Sequence, residues 1–176
     1  MHASEFDEAW DDDLASRERE EQQLGEVILA APIRDLEPPA AVRVPESATI
    51  ESVIRLMLER GLGAVLVQRD GRTVGIFTER DVLRRVVSCA VAQDQPVSEV
   101  MTPDPDSLGP DDGVAFALNR MIVGGFRHIP IVDDEGEPVA MLSQRDVVAF
   151  IVSRMPKRIL NLPPDPRLEA RTPDGG

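Results

Sequence analysis

The chain has 176 residues, 42% apolar and 3% aromatic, with 32 acidic against 19 basic residues for a net charge of −13. That apolar share excludes a wholly disordered or low-complexity protein and suffices for one ordinary core or two small ones. No run approaches the roughly 20 apolar residues of a membrane span, and no basic face meets nucleic-acid phosphates, so neither membrane nor nucleic acid is an expected partner.

In chain order, residues 1–31 come first, with ten acids against two arginines, an acidic N-terminal arm expected to be partly helical or disordered. Its first residues are acidic where a signal peptide would be basic and then apolar, so the expected location is cytoplasmic. Phe6, Trp10 and Leu14 recur at i, i+4, i+8, and two readings stand: a solvated arm, or an apolar ridge docking on a partner or a second copy.

Residues 32–93, with eight acids and nine arginines, form the first folded unit. A short strand is expected around Val42 to Val44. Ile50, Val53, Ile54 and Met57 have i, i+3, i+4, i+7 spacing, which predicts an amphipathic helix, and Gly61 stands where a glycine ends it. Two short apolar runs, Ala64 to Val67 and Val74 to Phe77, flank the hairpin signal Arg69-Asp-Gly-Arg72. Thr78 then opens a second helix that buries Val82, Leu83 and Val86. Cys89, the single cysteine, lies among apolar residues and reads as a buried small side chain in a reducing compartment.

Residues 94–154, with eleven acids against four arginines, repeat this unit at a spacing of about 64 residues. Val97-Ser-Glu-Val100-x-x-Pro103 answers Ile33-Arg-Asp-Leu36-x-x-Pro39. Val114, Ala117, Leu118, Met121 and Gly125 answer Ile50, Val53, Ile54, Met57 and Gly61. Val139-Ala-Met-Leu-Ser-Gln-Arg-Asp-Val147 answers Val74-Gly-Ile-Phe-Thr-Glu-Arg-Asp-Val82, and a strand is expected around Ser107 to Leu108. Each copy reads β-α-β-β-α. One copy is too small to be stable alone, whereas two can bury their sheet faces on each other, giving an α+β fold with pseudo-two-fold symmetry. Residues 155–176 are a Pro-rich C-terminal tail whose end is expected to be disordered, while Ile159, Leu160 and Leu162 can pack back on the core.

The duplicated tetrads Thr78-Glu-Arg-Asp81 and Ser143-Gln-Arg-Asp146 carry the chemistry. A Thr or Ser at N-cap with an acid three residues on is a helix start in its own right. The same geometry also suits an anion beside the hydroxyl and a ribose diol on the aspartate. Cap alone, and cap plus nucleotide contact, are both consistent with the residues. No nucleotide-binding glycine loop, zinc motif or nucleophile elbow occurs, and with only His2 and His128 neither a catalytic triad nor a metal site is expected.

These repeats resemble a known family, the pair of cystathionine β-synthase-type (CBS) domains called the Bateman module. The resemblance rests on Val97-Ser-Glu-Val-Met-Thr-Pro103, on Phe126-Arg-His-Ile-Pro-Ile-Val-Asp133, and on Gly75-Ile-Phe-Thr-Glu-Arg-Asp81 with its copy Ala140-Met-Leu-Ser-Gln-Arg-Asp146. It spans roughly residues 32–154 and implies two repeats packed through their sheets, assembling as a homodimer. It implies no enzyme and no required cofactor, but a regulatory module that modulates a protein partner. The implied ligand is an adenine nucleotide (AMP, ADP or ATP, with Mg²⁺ an option), with NAD or S-adenosylmethionine as alternatives, held in a cleft between the repeats.

Carried over residue by residue, the resemblance implies one site with Ser143 on phosphate and Asp146 on ribose, and with Thr49, Ala64 and Val65 near adenine. A second site takes Thr78 and Asp81, with Gly113, Arg127 and His128 opposite. Gly113 stands where the family has a threonine, and Asp111-Asp112 beside it are expected to repel phosphate, so the Ser143 site is preferred. Gly63-Ala64 also replace the polar pair that the second copy keeps as Arg127-His128. That pair either meets a polyphosphate or bonds a neighbouring carboxylate or carbonyl. Arg80, Arg84, Arg85 and Arg145 read mainly as surface or dimer-interface charges. A ligand-free dimerisation scaffold acting through the acidic arm is the alternative function.

Overall fold

The computed structural model describes residues 25–154; the Phe6, Trp10, Leu14 ridge and the prolines after Arg154 lie outside them. The first repeat runs β1 (Arg43–Pro45), α1 (Ile50–Arg60), β2 (Ala64–Arg69), β3 (Arg72–Thr78) and α2 (Glu79–Asp81), which continues as a π-helical segment, Val82–Val87. A 3₁₀ turn (Val97–Glu99) and β4 (Thr102–Pro103) lead into the second repeat: α3 (Val114–Gly124), β5 (His128–Val132), β6 (Pro138–Ser143) and α4 (Gln144–Arg154). The strand expected around Ser107 to Leu108 is reduced to a single parallel bridge between Leu108 and Ile131. Gly109 and Pro110 follow at once, and proline has no N–H with which to extend a ladder.

Local chemistry fixes the element ends. Thr49 caps α1 by accepting from the Ser52 N–H, and Gly61 and Gly125 end α1 and α3 at φ of 62° and 66°, where a side chain is strained. The β2–β3 turn holds Asp70 and Gly71 at φ of 50° and 80°, the mirror-image turn whose twist matches paired strands.

Alternation along the strands builds two layers from one apolar run. In β2, Val65 and Val67 point to the helices of the first repeat, while Ala64 and Leu66 join Ile76 and Met141 in a separate cluster at the seam between the sheets. In β6, Ala140 and Leu142 enter the second core and Met141 the seam. Strands covered on both faces need uninterrupted apolar sequence, which is why Ala64, Val65, Leu66 and Val67 are all buried.

The repeats also exchange their leading segments. Ile33, ahead of the first repeat, is fully buried in the second core, and Val97, ahead of the second, is fully buried in the first. The exchange continues into the sheets. β4 pairs antiparallel with β3 through Gly75–Pro103 and Ile76–Thr102, and Ala40 bridges Ala140 of β6. Neither core is complete without the other repeat's leading segment.

Two burial expectations are corrected. Cys89 is exposed, and Leu83 is 66% exposed. The π-helical turns over Val82–Val87 widen the helix, so its phase departs from 3.6 residues and Val86 is its buried residue. Cys89 lies just past those turns, next to Ala90, which stands at φ 51°.

Candidate functional site

Thr78 ends β3 and Ser143 ends β6, and each opens a helix where the two repeats meet. Two clefts result. One, of about 780 Å³, is lined by Ala64, Arg127, His128, Ser143, Arg145 and Asp146 among others. The other, of about 320 Å³, is lined by Thr78, Arg80, Asp81, Arg84, Arg85, Thr102, Arg127 and His128 among others. Gly63, Glu79, Arg127 and His128 line both, so they form the wall between the clefts.

The fold therefore brings Ala64, Ser143 and Asp146 together, and Thr78 and Asp81 with Arg127 and His128. Thr49, Val65 and Gly113 line neither cleft. Val65 is fully buried among the helices of the first repeat. Thr49 and Gly113 are N-caps of α1 and α3, and the leading segment of the opposite repeat covers each: Thr49 bridges Pro96, and Gly113 bridges Pro32. Asp111 and Asp112, expected to repel phosphate, line neither cleft. Asp111 pairs with Arg34, and Asp112 accepts from the Gly109 N–H at 2.7 Å. Three acids do line the smaller cleft, Glu79, Asp81 and Asp106, and Asp106 is paired with Arg120.

Both tetrads form the same closed cap. Asp146 Oδ2 accepts from the Ser143 N–H at 2.8 Å and its hydroxyl at 2.6 Å, and Asp81 Oδ2 accepts from Thr78 at 2.9 and 2.7 Å. The second carboxylate oxygen separates them. Asp81 is buried, and its Oδ1 takes the Thr102 hydroxyl at 3.4 Å and the Arg85 Nε at 3.4 Å. Asp146 is half-buried, and its Oδ1 has no hydrogen-bond or ion-pair partner among the described residues.

At the dividing wall, His128 fills the space that Gly63 leaves open, since a methyl group at Gly63 would lie 2.6 Å from His128 Nε2. Burial holds the imidazole pKa below its ordinary value, with Arg127 acting the same way against the opposing pull of Glu79 and Asp146. Neutral His128 is therefore the resting state near pH 7. No cluster of metal-ligating side chains occurs among the described residues, and none of their helices is long and apolar enough to cross a membrane.

Sequence alone assigns Arg80, Arg84, Arg85 and Arg145 to the surface or a dimer interface; the fold puts the first three on the smaller cleft and Arg145 on the larger. The signal was available in the repeat. Carried past Asp81 and Asp146, the same alignment sets Arg84-Arg85 against Ala149-Phe150, and Thr102 against Pro38.

The CBS domain family model matches twice, over residues 33–88 and 97–153. A CBS domain-containing protein of Arabidopsis thaliana is 35% identical over 119 residues, covering 66% of this chain and 21% of that protein. The chain thus spans about a fifth of the length of the Arabidopsis relatives it matches. An uncharacterized 17.7 kDa protein of Acidianus ambivalens is 34% identical over 110 residues, covering 62% of this chain and 66% of that protein. Among solved structures, a CBS domain protein from Pyrobaculum aerophilum complexed with AMP superposes with a TM-score of 0.62 at 26% identity, covering 70% of this chain and 99% of that one. A CBS-domain containing protein from Agrobacterium tumefaciens gives 0.63 at 29% identity, covering 68% and 98%.

Proposed function

Because the chain belongs to the CBS domain family, with both repeats matched, we propose that it is a regulatory module that binds an adenosine-containing ligand in the Ser143 cleft and modulates a partner protein. The observation that carries this reading is Asp146, whose Oδ1 has no partner among the described residues, on the lining of a cleft of about 780 Å³, a volume that suits a nucleotide-sized molecule. Asp146 Oδ1 accepts from a ribose diol without giving up an existing bond. Ser143 reaches a phosphate by turning its hydroxyl from Asp146, and Arg127 and Arg145 supply the cationic donors. The relative crystallised with AMP makes AMP the first ligand to try; ADP, ATP with and without Mg²⁺, NAD and S-adenosylmethionine complete the panel. No residue of the cleft is assigned a catalytic role.

The deciding experiment is thermal unfolding of the full chain with each ligand, backed by calorimetry. A ligand at 100 times its Kd adds about 2.7 kcal/mol to stability. Replacing Asp146 with Asn should remove that gain and leave the unliganded melting temperature near wild type. Silence across the whole panel overturns the ligand reading and leaves the ligand-free scaffold.

Self-association belongs to the same proposal. Leu58, Ile122 and Val123, at the C-terminal ends of α1 and α3, are 78%, 73% and 81% exposed. Apolar side chains so placed on both repeats suit burial against a second copy. Light scattering should give a dimer, and Ile122→Asp should shift it toward monomer. A monomeric wild-type chain refutes this part.

A further inference from the structure

We propose that the Thr78 cleft is a site for a phosphate-type oxyanion and not for a second nucleoside. Three independent features of the cleft lead there. First, it gathers four guanidinium groups, Arg80, Arg84, Arg85 and Arg127, whereas the Ser143 cleft has Arg127 and Arg145. Second, the carboxylate that would take a ribose diol is spent: Asp81 is buried, with Oδ2 on Thr78 and Oδ1 shared by Thr102 and Arg85. Breaking those bonds would leave a buried carboxylate without its partners. Third, the space is about 320 Å³ against about 780 Å³ for the neighbouring cleft.

The arginines are not equivalent. Arg80 donates to the Gly125 carbonyl, and Arg85 is held by Asp81 and by the Val100 and Met101 carbonyls. The guanidinium groups of Arg84 and Arg127 have no hydrogen-bond or ion-pair partner among the described residues, yet both line this cleft. Guanidinium groups on one small cleft that lack partners among the described residues supply the paired N–H donors that phosphate oxygens accept. The acids alongside do not cancel them fully, because Asp106 is paired with Arg120 and Asp81 with Arg85, which leaves Glu79.

Two sources can supply the oxyanion. It can be free, as pyrophosphate, or it can be the phosphate tail of a nucleotide in the Ser143 cleft that crosses the wall at Arg127 and His128. The second source rests on the nucleotide reading above; the first does not.

Isothermal titration of the full chain with sodium pyrophosphate, AMP and ATP separates these cases, using Arg84→Ala and Asp146→Asn. Arg84 is exposed, so its truncation leaves the fold intact. For a free anion, pyrophosphate binds once per chain, Arg84→Ala weakens it about tenfold or more, and Asp146→Asn leaves it unchanged. For a nucleotide tail, Arg84→Ala weakens ATP by a similar factor and leaves AMP unaffected. If pyrophosphate binds while AMP and ATP do not, the oxyanion site stands and the nucleotide reading fails. The proposal is overturned if Arg84→Ala weakens neither pyrophosphate nor ATP, or if AMP binds twice per chain and Arg84→Ala removes one of the two.

Discussion

Thr78-Glu-Arg-Asp81 and Ser143-Gln-Arg-Asp146 fold into caps with the same three hydrogen bonds, yet the clefts beside them have opposite resources. The Ser143 cleft is roomy, and its tetrad aspartate keeps one oxygen without a partner among the described residues; the Thr78 cleft is small and rich in arginine, and both oxygens of its tetrad aspartate are engaged. The caps agree because their bonds run between residues three apart, which any copy of the tetrad reproduces. The clefts differ because Thr102, Arg84 and Arg85 have Pro38, Ala149 and Phe150 as their counterparts. Phe150 is buried in the second core, so where the first repeat sends a guanidinium into the cleft the second sends a ring inward. Duplication preserved the frame, and substitution of its neighbours divided the chemistry.

Stability should break the symmetry most strongly. Asp81→Ala deprives Thr78, Thr102 and Arg85 of a buried acceptor and should cost about 3 kcal/mol. Asp146→Ala removes a half-buried cap and should cost about 1 kcal/mol. Urea denaturation of both variants checks the difference, and equal losses would mean that the extra partners of Asp81 contribute nothing.

The wall between the clefts gives a second, smaller test. Gly63→Ala would set a methyl group 2.6 Å from His128 Nε2, and the ring must move because the backbone on the other side is fixed in β2. Overpacking of this kind typically costs about 1–3 kcal/mol, and the low end is expected here because the half-buried ring can swing into a cleft. Ligand binding in the two clefts should change together, since His128 lines both. A change confined to one would show that the wall is not shared.

What was legible in the sequence follows the same division. Period and turn chemistry located α1, α3, both hairpins and the two tetrads, because each depends on contacts a few residues apart. The exchange of Ile33 and Val97 between cores was not legible, since nothing in a local pattern says which of two similar cores an apolar residue enters. That exchange is also what covers Thr49 and Gly113 and removes them from the clefts. A helical period of 3.6 misplaces Leu83, because its segment winds as a π-helix, and apolar neighbours in sequence misplace Cys89, which lies just beyond that segment. Arg84 and Arg85 were within reach, but only by comparing what the repeats do not share.

The smallest expected effect concerns the wall's charge. His128 is held below its ordinary pKa of 6.5 chiefly by burial, with Arg127 adding to this while Glu79 and Asp146 act against it. The folded chain therefore resists protonation there more than the unfolded chain does. As pH falls through 6.5 the unfolded state takes up the proton first, so stability declines until the lower folded pKa is passed and then declines no further from this group. Between pH 7.5 and 5.5 the wild type should lose more of its melting temperature than His128→Gln, whose neutral amide does not titrate. An oxyanion in the Thr78 cleft faces the same ring and favours its cationic form, so pyrophosphate should shrink the difference between the two proteins. A difference that stays constant with saturating pyrophosphate would place the anion too far from His128 to sense its charge, and the wall would then separate the two clefts electrically as well as sterically.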